Sequence, residues 1–217
     1  MTTTETTDLV LADAVPDAIH DGTLYGWRYW ELNLPDLKKT EADKESAYLG
    51  YYMGMVPKRH LTAPPDQLVS AYKDIAWPAG GLEATCLVKT GPGVVPDHTA
   101  PNLECQCGIY LFAELDTALL QWSHSWTAVA DPSRNVLGAV ACTHGLAVEH
   151  ETGYRVARAA PALLVVDARL HRGIVAGLSR RYAVPIVTCP VWKPEAVFDQ
   201  IMANPLIPDH LKPRRAL

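Results

Sequence analysis

The 217-residue sequence lacks any hydrophobic run long enough to cross a membrane. A spanning helix needs roughly 18 or more consecutive apolar residues, and no stretch of this chain approaches that length. The first fifteen residues, MTTTETTDLVLADAV, also lack the basic start and continuous apolar core of a secretory signal. We therefore expect a cytoplasmic protein without a membrane partner.

The chain also has no excess of basic residues, because 19 Lys and Arg stand against 24 Asp and Glu and give a net charge of −5. Tight binding to a nucleic-acid backbone normally needs a clustered basic face. A local patch could still combine Lys58, Arg59, Arg180 and Arg181 with the C-terminal arginines. A nucleic-acid partner is therefore allowed but not favoured.

The composition is that of an ordinary globular domain, with 48% hydrophobic and 20% charged residues, so a sizeable core is available. No fixed-period repeat and no glycine-rich phosphate loop followed by lysine is present. We predict a disordered or weakly ordered tail at 1–22 that turns helical around 9–19. A single mixed α/β domain follows at 23–203, and an irregular tail at 204–217.

Hydrophobic periodicity predicts an α+β fold, with a mostly antiparallel twisted sheet flanked by two to three helices. Large apolar and polar residues alternate over 25–32, as in a strand, with Trp27 and Tyr29 on one face and Trp30 on the other. Further strands are predicted at 47–56, 82–88, 109–113, 136–150, 154–167 and 185–192, and helices at 66–75, 114–126, 167–182 and 194–202. The unit at 154–192 favours a parallel crossover, and Asp167 is expected to cap its helix.

One glycine- and proline-rich excursion contains Cys86, His98, Cys105 and Cys107. Five cysteines without an export signal favour metal binding over disulfides. A C-x-C pair places both thiols on one side of an extended segment, and three thiolates with one imidazole complete a tetrahedral zinc site. The rival interpretation is that these cysteines are small apolar core residues.

The chain offers a second candidate site at the tip of a predicted hairpin, where Glu149, His150, Glu151 and Arg155 follow one another closely. Together they can hold a polar ligand or a partner. His150 also forms a second constellation with Cys142 and His144, which can supply a missing metal ligand if Cys86 is not one, or form a separate reactive site with Glu149 or Glu151. The simpler interpretation is a solvated, charged turn beside a core cysteine.

Four segments carry a resemblance. They are H-x-A-P-x(3)-C-x-C-G-I-Y at 98–110, A-x-C at 84–86, V-E-H-E-x-G-Y-R at 148–155 and R-Y-A-V-P at 181–185. This pattern resembles a group of uncharacterised actinobacterial and actinophage proteins and covers about half of the chain, from 77 to 185. It implies a shared fold and, with it, a shared metal site, but no reaction. An aromatic-glycine pair is common in that group at 143–145, so His144 is a departure that weakens a metal role for it.

The leading functional hypothesis is a non-enzymatic accessory or interaction protein that binds a protein or nucleic-acid partner and is stabilised by structural zinc. A metal that binds only the folded loop stabilises the fold, and four protein ligands leave no open position for a catalytic water. The alternative is a small enzyme that acts on a nucleotide or another small anionic molecule through the 149–155 hairpin.

Overall fold

The computed structural model describes residues 9–11, 19–20, 22–32, 34, 64–70, 75–86, 98–123, 134–191 and 193–213. The strands are β1 (Leu9–Leu11), β2 (Ile19–His20), β3 (Thr23–Leu32), β4 (Leu68–Ser70), β5 (Leu82–Glu83), β6 (Ile109–Phe112), β7 (Asn135–Cys142), β8 (Gly145–His150), β9 (Gly153–Val156), β10 (Arg158–Asp167) and β11 (Ile186–Cys189). The helices are α1 (Leu115–Ser123), α2 (Arg172–Tyr182) and α3 (Pro194–Ala203), followed by a 3-10 turn at Asp209–Leu211.

The strands form one sheet in the order β1-β8-β9-β6-β3-β7-β10-β11. Strands β2 and β4 also pair with β3, and β5 pairs with β10. Of the pairs described, β1–β8 and β10–β11 are parallel and the others are antiparallel. The predicted α+β class is confirmed, as is the parallel pairing across α2.

The centre of the sheet is β3, β7 and β10, whose pairing is the most extensive. β3 pairs with β7 along eight consecutive positions, from Leu24↔Cys142 to Glu31↔Asn135. In β7, Gly138 is required because a Cβ atom there would lie 2.1 Å from the backbone oxygen of Leu163. The small residues of β7 therefore let its neighbours approach closely.

Both faces of the sheet are covered, as the alternation in β3 predicts. Trp30 belongs to one buried cluster, which includes Leu178 and Tyr182 of α2. Trp27 and Tyr29 belong to the other cluster. The predicted apolar stripe of α1 and the buried side of α3 contribute to that second cluster: Leu115, Ala118, Leu119, Trp122, Val197 and Ile201.

Two helix predictions are wrong. The expected helix at 66–75 contains instead β4, because all three of its residues are buried and pair antiparallel with β3. The expected N-terminal helix is contradicted by β1, which pairs in parallel with Gly145–Ala147 of β8. In both segments, sheet pairing overrides a weak helical spacing.

The prediction that Asp167 caps helix α2 is also wrong. His171 is the N-cap of α2, and its Nδ1 accepts from the Gly173 amide at 3.1 Å. Asp167 accepts instead from the Arg169 amide and guanidinium, each at 2.8 Å. Between β10 and α2 the chain makes a turn in which the Leu170 amide donates to the Asp167 carbonyl at 2.9 Å.

The predicted strand at 82–88 is shorter, since β5 ends at Glu83, and 87–88 lie outside the described residues. The predicted strand at 47–56, Lys58, Arg59 and the C-terminal arginines lie outside them as well. Within the described ranges, no helix is long and apolar enough to cross a membrane.

Candidate metal centre

The four predicted ligands converge. One ligand atom from each of Cys86, His98, Cys105 and Cys107 lies within 4.8 Å of all the others. The Sγ atoms of Cys86 and Cys105 are 3.7 Å apart, and Cys107 Sγ is 3.5 Å from His98 Nε2. Tetrahedral zinc, with bonds of about 2.3 Å to sulfur and 2.0–2.1 Å to nitrogen, separates two sulfurs by about 3.8 Å and a sulfur from a nitrogen by about 3.6 Å. The cluster can therefore hold a metal ion.

Cys86 reaches the cluster from the sheet. Leu82 of β5 pairs with Ala159, and the Ala84 amide donates to the Ala157 carbonyl at 2.7 Å. These contacts fix the chain two residues before Cys86. The first ligand is thus positioned by the start of β10.

Cys105 and Cys107 reach it from the opposite direction, on a turn that leads into β6. The Cys105 amide donates to the Asn102 carbonyl at 3.2 Å, and the Asn102 side chain accepts from the Glu104 amide at 2.8 Å. Gly108 follows with φ of 124°, where a Cβ atom would lie 3.0 Å from that of Pro101. A side chain at this position would be strained, so glycine is required to connect the cluster to β6.

Arg155 of β9 lies behind this turn. Its Nη1 atom is within hydrogen-bonding distance of the carbonyl oxygens of Asn102, Cys105 and Cys107, at 3.2 Å for Asn102 and 3.1 Å for Cys107. One buried side chain therefore holds the backbone of two ligand residues.

The pKa values of the two thiols in the C-x-C pair are shifted in opposite directions. Burial raises the pKa of Cys107 to about 11, assisted by its hydrogen bond with Cys105. Burial opposes ionisation of Cys105 too, but hydrogen bonds from the Cys107 backbone and from the Cys86, Cys107 and His98 side chains lower its pKa to about 7. A bound metal ion would favour the thiolate form of both residues.

The second proposed metal constellation does not assemble. Cys142 is buried in the core and its thiol faces the His144 carbonyl at 3.6 Å, while His144 Nε2 lies 3.1 Å from Arg158 Nη1. Cys189 is buried on β11, as expected. Among the described residues, Cys86, His98, Cys105 and Cys107 are the group of three or more acidic, His or Cys side chains that converges.

The hairpin of β8 and β9 exists, but Glu149 and Arg155, two of its four candidate residues, do not face the same side. Arg155 pairs with Val148, and Glu149 pairs with Tyr154, so Arg155 and Glu149 lie on opposite faces. Glu149 and Glu151 are exposed. Arg155 is directed to residues 98–108, which we call the metal loop. Of the four, His150 is the one that lines a cleft.

This cleft has a volume of about 690 Å³ and opens where β6 leaves β3, which share the single bridge Trp27↔Phe112. The Arg28 guanidinium spans the split and donates to the Tyr110 carbonyl at 2.6 Å. Residues 106–108 of the metal loop form part of the wall. No pattern in the sequence indicates this cleft, because it depends on how two strands separate in the folded sheet.

Comparison with protein-family models finds no match, and no curated protein or solved structure matches the chain. The likeness to actinobacterial and actinophage proteins stays a prediction. The geometry of the site therefore carries the functional argument.

Proposed function

We propose that Cys86, His98, Cys105 and Cys107 bind one Zn²⁺ as a structural centre, and that the protein is a non-enzymatic accessory or interaction protein. The observation that carries the zinc site is the spacing of the four ligand atoms, within 4.8 Å of one another. Hard cations such as Mg²⁺ and Ca²⁺ prefer oxygen ligands, whereas thiolate and imidazole favour zinc.

A structural role fits the ligand count better than a catalytic one. Four protein ligands fill a tetrahedral shell and leave no position for a reactive water. The ion would connect the segment after β5 to the turn before β6. In this proposal, zinc stabilises the folded conformation of that turn.

A protein partner fits the described surface better than a nucleic acid. Leu103 and Tyr110, on either side of the C-x-C pair, are 67% and 40% exposed, which offers apolar contact area beside the metal loop. Several described cations are already paired with acids: Arg158 with Glu83, Arg169 with Asp167, Arg181 with Asp66, and Lys212 with Asp209. Such pairing reduces the positive field that a phosphate backbone needs.

The test is the zinc content of the purified protein, measured by elemental mass spectrometry together with the melting temperature. We expect one zinc per chain in the wild type and loss of zinc with a lower melting temperature in Cys105→Ser and His98→Ala. The matched controls are Cys142→Ala and Cys189→Ala, two buried cysteines outside the cluster, which should keep the zinc. Metal-free wild type, with Cys105→Ser and His98→Ala as stable as it, would refute the zinc site.

The enzyme hypothesis keeps one supporting observation, the cleft that His150 lines beside the metal loop. Its volume of about 690 Å³ suits a nucleotide-sized molecule. Adding nucleoside phosphates to the same melting experiment separates the two functions. A nucleotide that raises the melting temperature of the wild type but not of His150→Ala would favour the small anionic ligand over the accessory role.

A further inference from the structure

Arg155 carries a buried positive charge. Arg155 is 8% exposed, and no carboxylate among the described residues forms an ion pair with its guanidinium. Removing a charged group from water is costly unless an opposite charge or a full set of hydrogen bonds compensates it. Arg155 therefore requires a compensating group nearby.

The described hydrogen-bond acceptors of the Arg155 side chain all belong to the metal loop. Nη1 approaches the carbonyl oxygens of Asn102, Cys105 and Cys107. These carbonyl groups accept hydrogen bonds but carry no net charge. The ligand cluster lies beside them, because two of the three carbonyls belong to ligand residues, and a net negative charge can form there when a metal is bound.

A zinc ion with three thiolates and one neutral imidazole has a net charge of −1, as the sum of +2 and three charges of −1. We propose that Arg155 is the counter-ion and positioning residue of this metal centre. Its guanidinium balances the −1 charge, and its hydrogen bonds hold the Cys105 and Cys107 backbone so that both sulfurs face the ion. The inference rests on the proposed zinc site and names a residue outside the coordination shell.

The neighbouring backbone agrees with this role. A Cβ atom at Gly108 would lie 3.1 Å from the Cβ of Arg155, so β9 and the turn are in close contact at this point. Residues that orient metal ligands from outside the shell typically change metal affinity roughly 10- to 100-fold when they are mutated. We expect an effect of that size.

The experiment measures the zinc dissociation constant of the full chain by competition with a chromophoric chelator. It also records the Co²⁺ spectrum, whose thiolate charge-transfer bands report the ligand set. Arg155→Met, which keeps an unbranched apolar stem and loses the charge, should weaken zinc binding roughly 10- to 100-fold. Arg155→Lys should recover part of this loss, because it keeps the charge but not the planar fork.

The matched control is Arg181→Met on α2, whose side chain pairs with Asp66. It should bind zinc within about twofold of the wild type, because its described partner lies outside the metal loop. Equal affinity of Arg155→Met and the wild type would overturn the inference and leave the zinc site standing. A wild type that binds neither zinc nor cobalt would remove both.

If Arg155→Met does not fold, the comparison of Arg155→Lys with Arg155→Gln decides. Lysine keeps the charge, whereas glutamine keeps a hydrogen-bond donor without charge. Tighter zinc binding by the lysine variant supports a counter-ion. Equal or tighter zinc binding by the glutamine variant would show that Arg155 acts through its hydrogen bonds and not through its charge, which contradicts the proposal.

Discussion

His150 is the residue whose charge the fold controls most directly outside the metal cluster. Its ring lies edge-on to Tyr110, with 5.0 Å between the centroids. Burial lowers the pKa of His150 below its ordinary value of 6.5, the positive charge of Arg155 lowers it further, and Glu151 opposes them. The imidazole is therefore neutral over most of the physiological range.

We predict that acidification destabilises the protein through His150. Because the unfolded chain binds this proton more readily than the native state, the free energy of unfolding should fall as the pH drops below 6.5. His150→Gln should remove this part of the pH dependence, as measured by urea unfolding between pH 8 and pH 5. An NMR titration midpoint for His150 at or above 6.5 in the wild type would contradict the prediction. Glu151→Gln should move that midpoint further down.

The four residues of the proposed metal cluster could be found from the sequence because of their chemical types and the C-x-C spacing. Cys105 and Cys107 share one side of a short extended segment, and thiols with an imidazole restrict the choice of metal. The role of Arg155 could not be found in this way. Spacing along the chain places Arg155 beside Glu149 and His150. The carbonyl groups that its side chain contacts lie 48 to 53 residues away in the sequence.

Helix α2 ends under backbone strain. Its C-cap, the exposed Ala183, has φ of 52°, in the left-handed region, and its amide donates to the Ser179 carbonyl at 2.9 Å. This conformation costs a residue with a Cβ atom roughly 1–2 kcal/mol, whereas glycine adopts it freely. The helix stops here because Val184 and Pro185 must lead into β11.

Ala183→Gly should therefore stabilise the protein by up to about 1 kcal/mol, after the larger entropy of glycine in the unfolded chain is subtracted. The matched change, Ala176→Gly, removes an exposed alanine from the interior of the same helix. It should destabilise by about 0.5–1 kcal/mol. Equilibrium denaturation of both variants measures the difference, and destabilisation by both would show that the end of α2 is not strained.

Helix α1 was predictable from the sequence, and the three-residue strand β4 was not. The stripe of α1 repeats over two turns, and its Leu115, Ala118, Leu119 and Trp122 are all buried. Strand β4 has three residues, all buried, and three residues cannot display a period of two. Its near-helical apolar spacing predicted a helix, because pairing with β3 is a tertiary property that no local pattern contains.

In the whole molecule, the sheet has an extensively paired middle and a side that carries the proposed zinc loop. Strands β3, β7 and β10 pair along most of their length and have a buried cluster on each face. Strand β6 pairs with this middle at the described bridge Trp27↔Phe112, and β8 and β9 are connected to it along the chain, after β7 and before β10. The proposed zinc loop enters β6 directly and contacts β9 through Arg155, so it supports the side that has less described strand pairing with the middle.

Removal of zinc should therefore loosen one side of the molecule and spare the other. We predict that chelation increases amide hydrogen exchange at 98–112 and 145–156, while 135–142 and 163–167 keep their protection, because local stability follows local contacts. Hydrogen-exchange mass spectrometry with and without chelator measures this pattern, and Cys105→Ser should reproduce it without chelator. Uniform loss of protection would mean that the metal supports the entire fold, and unchanged exchange at 98–112 would mean that the loop does not depend on a metal.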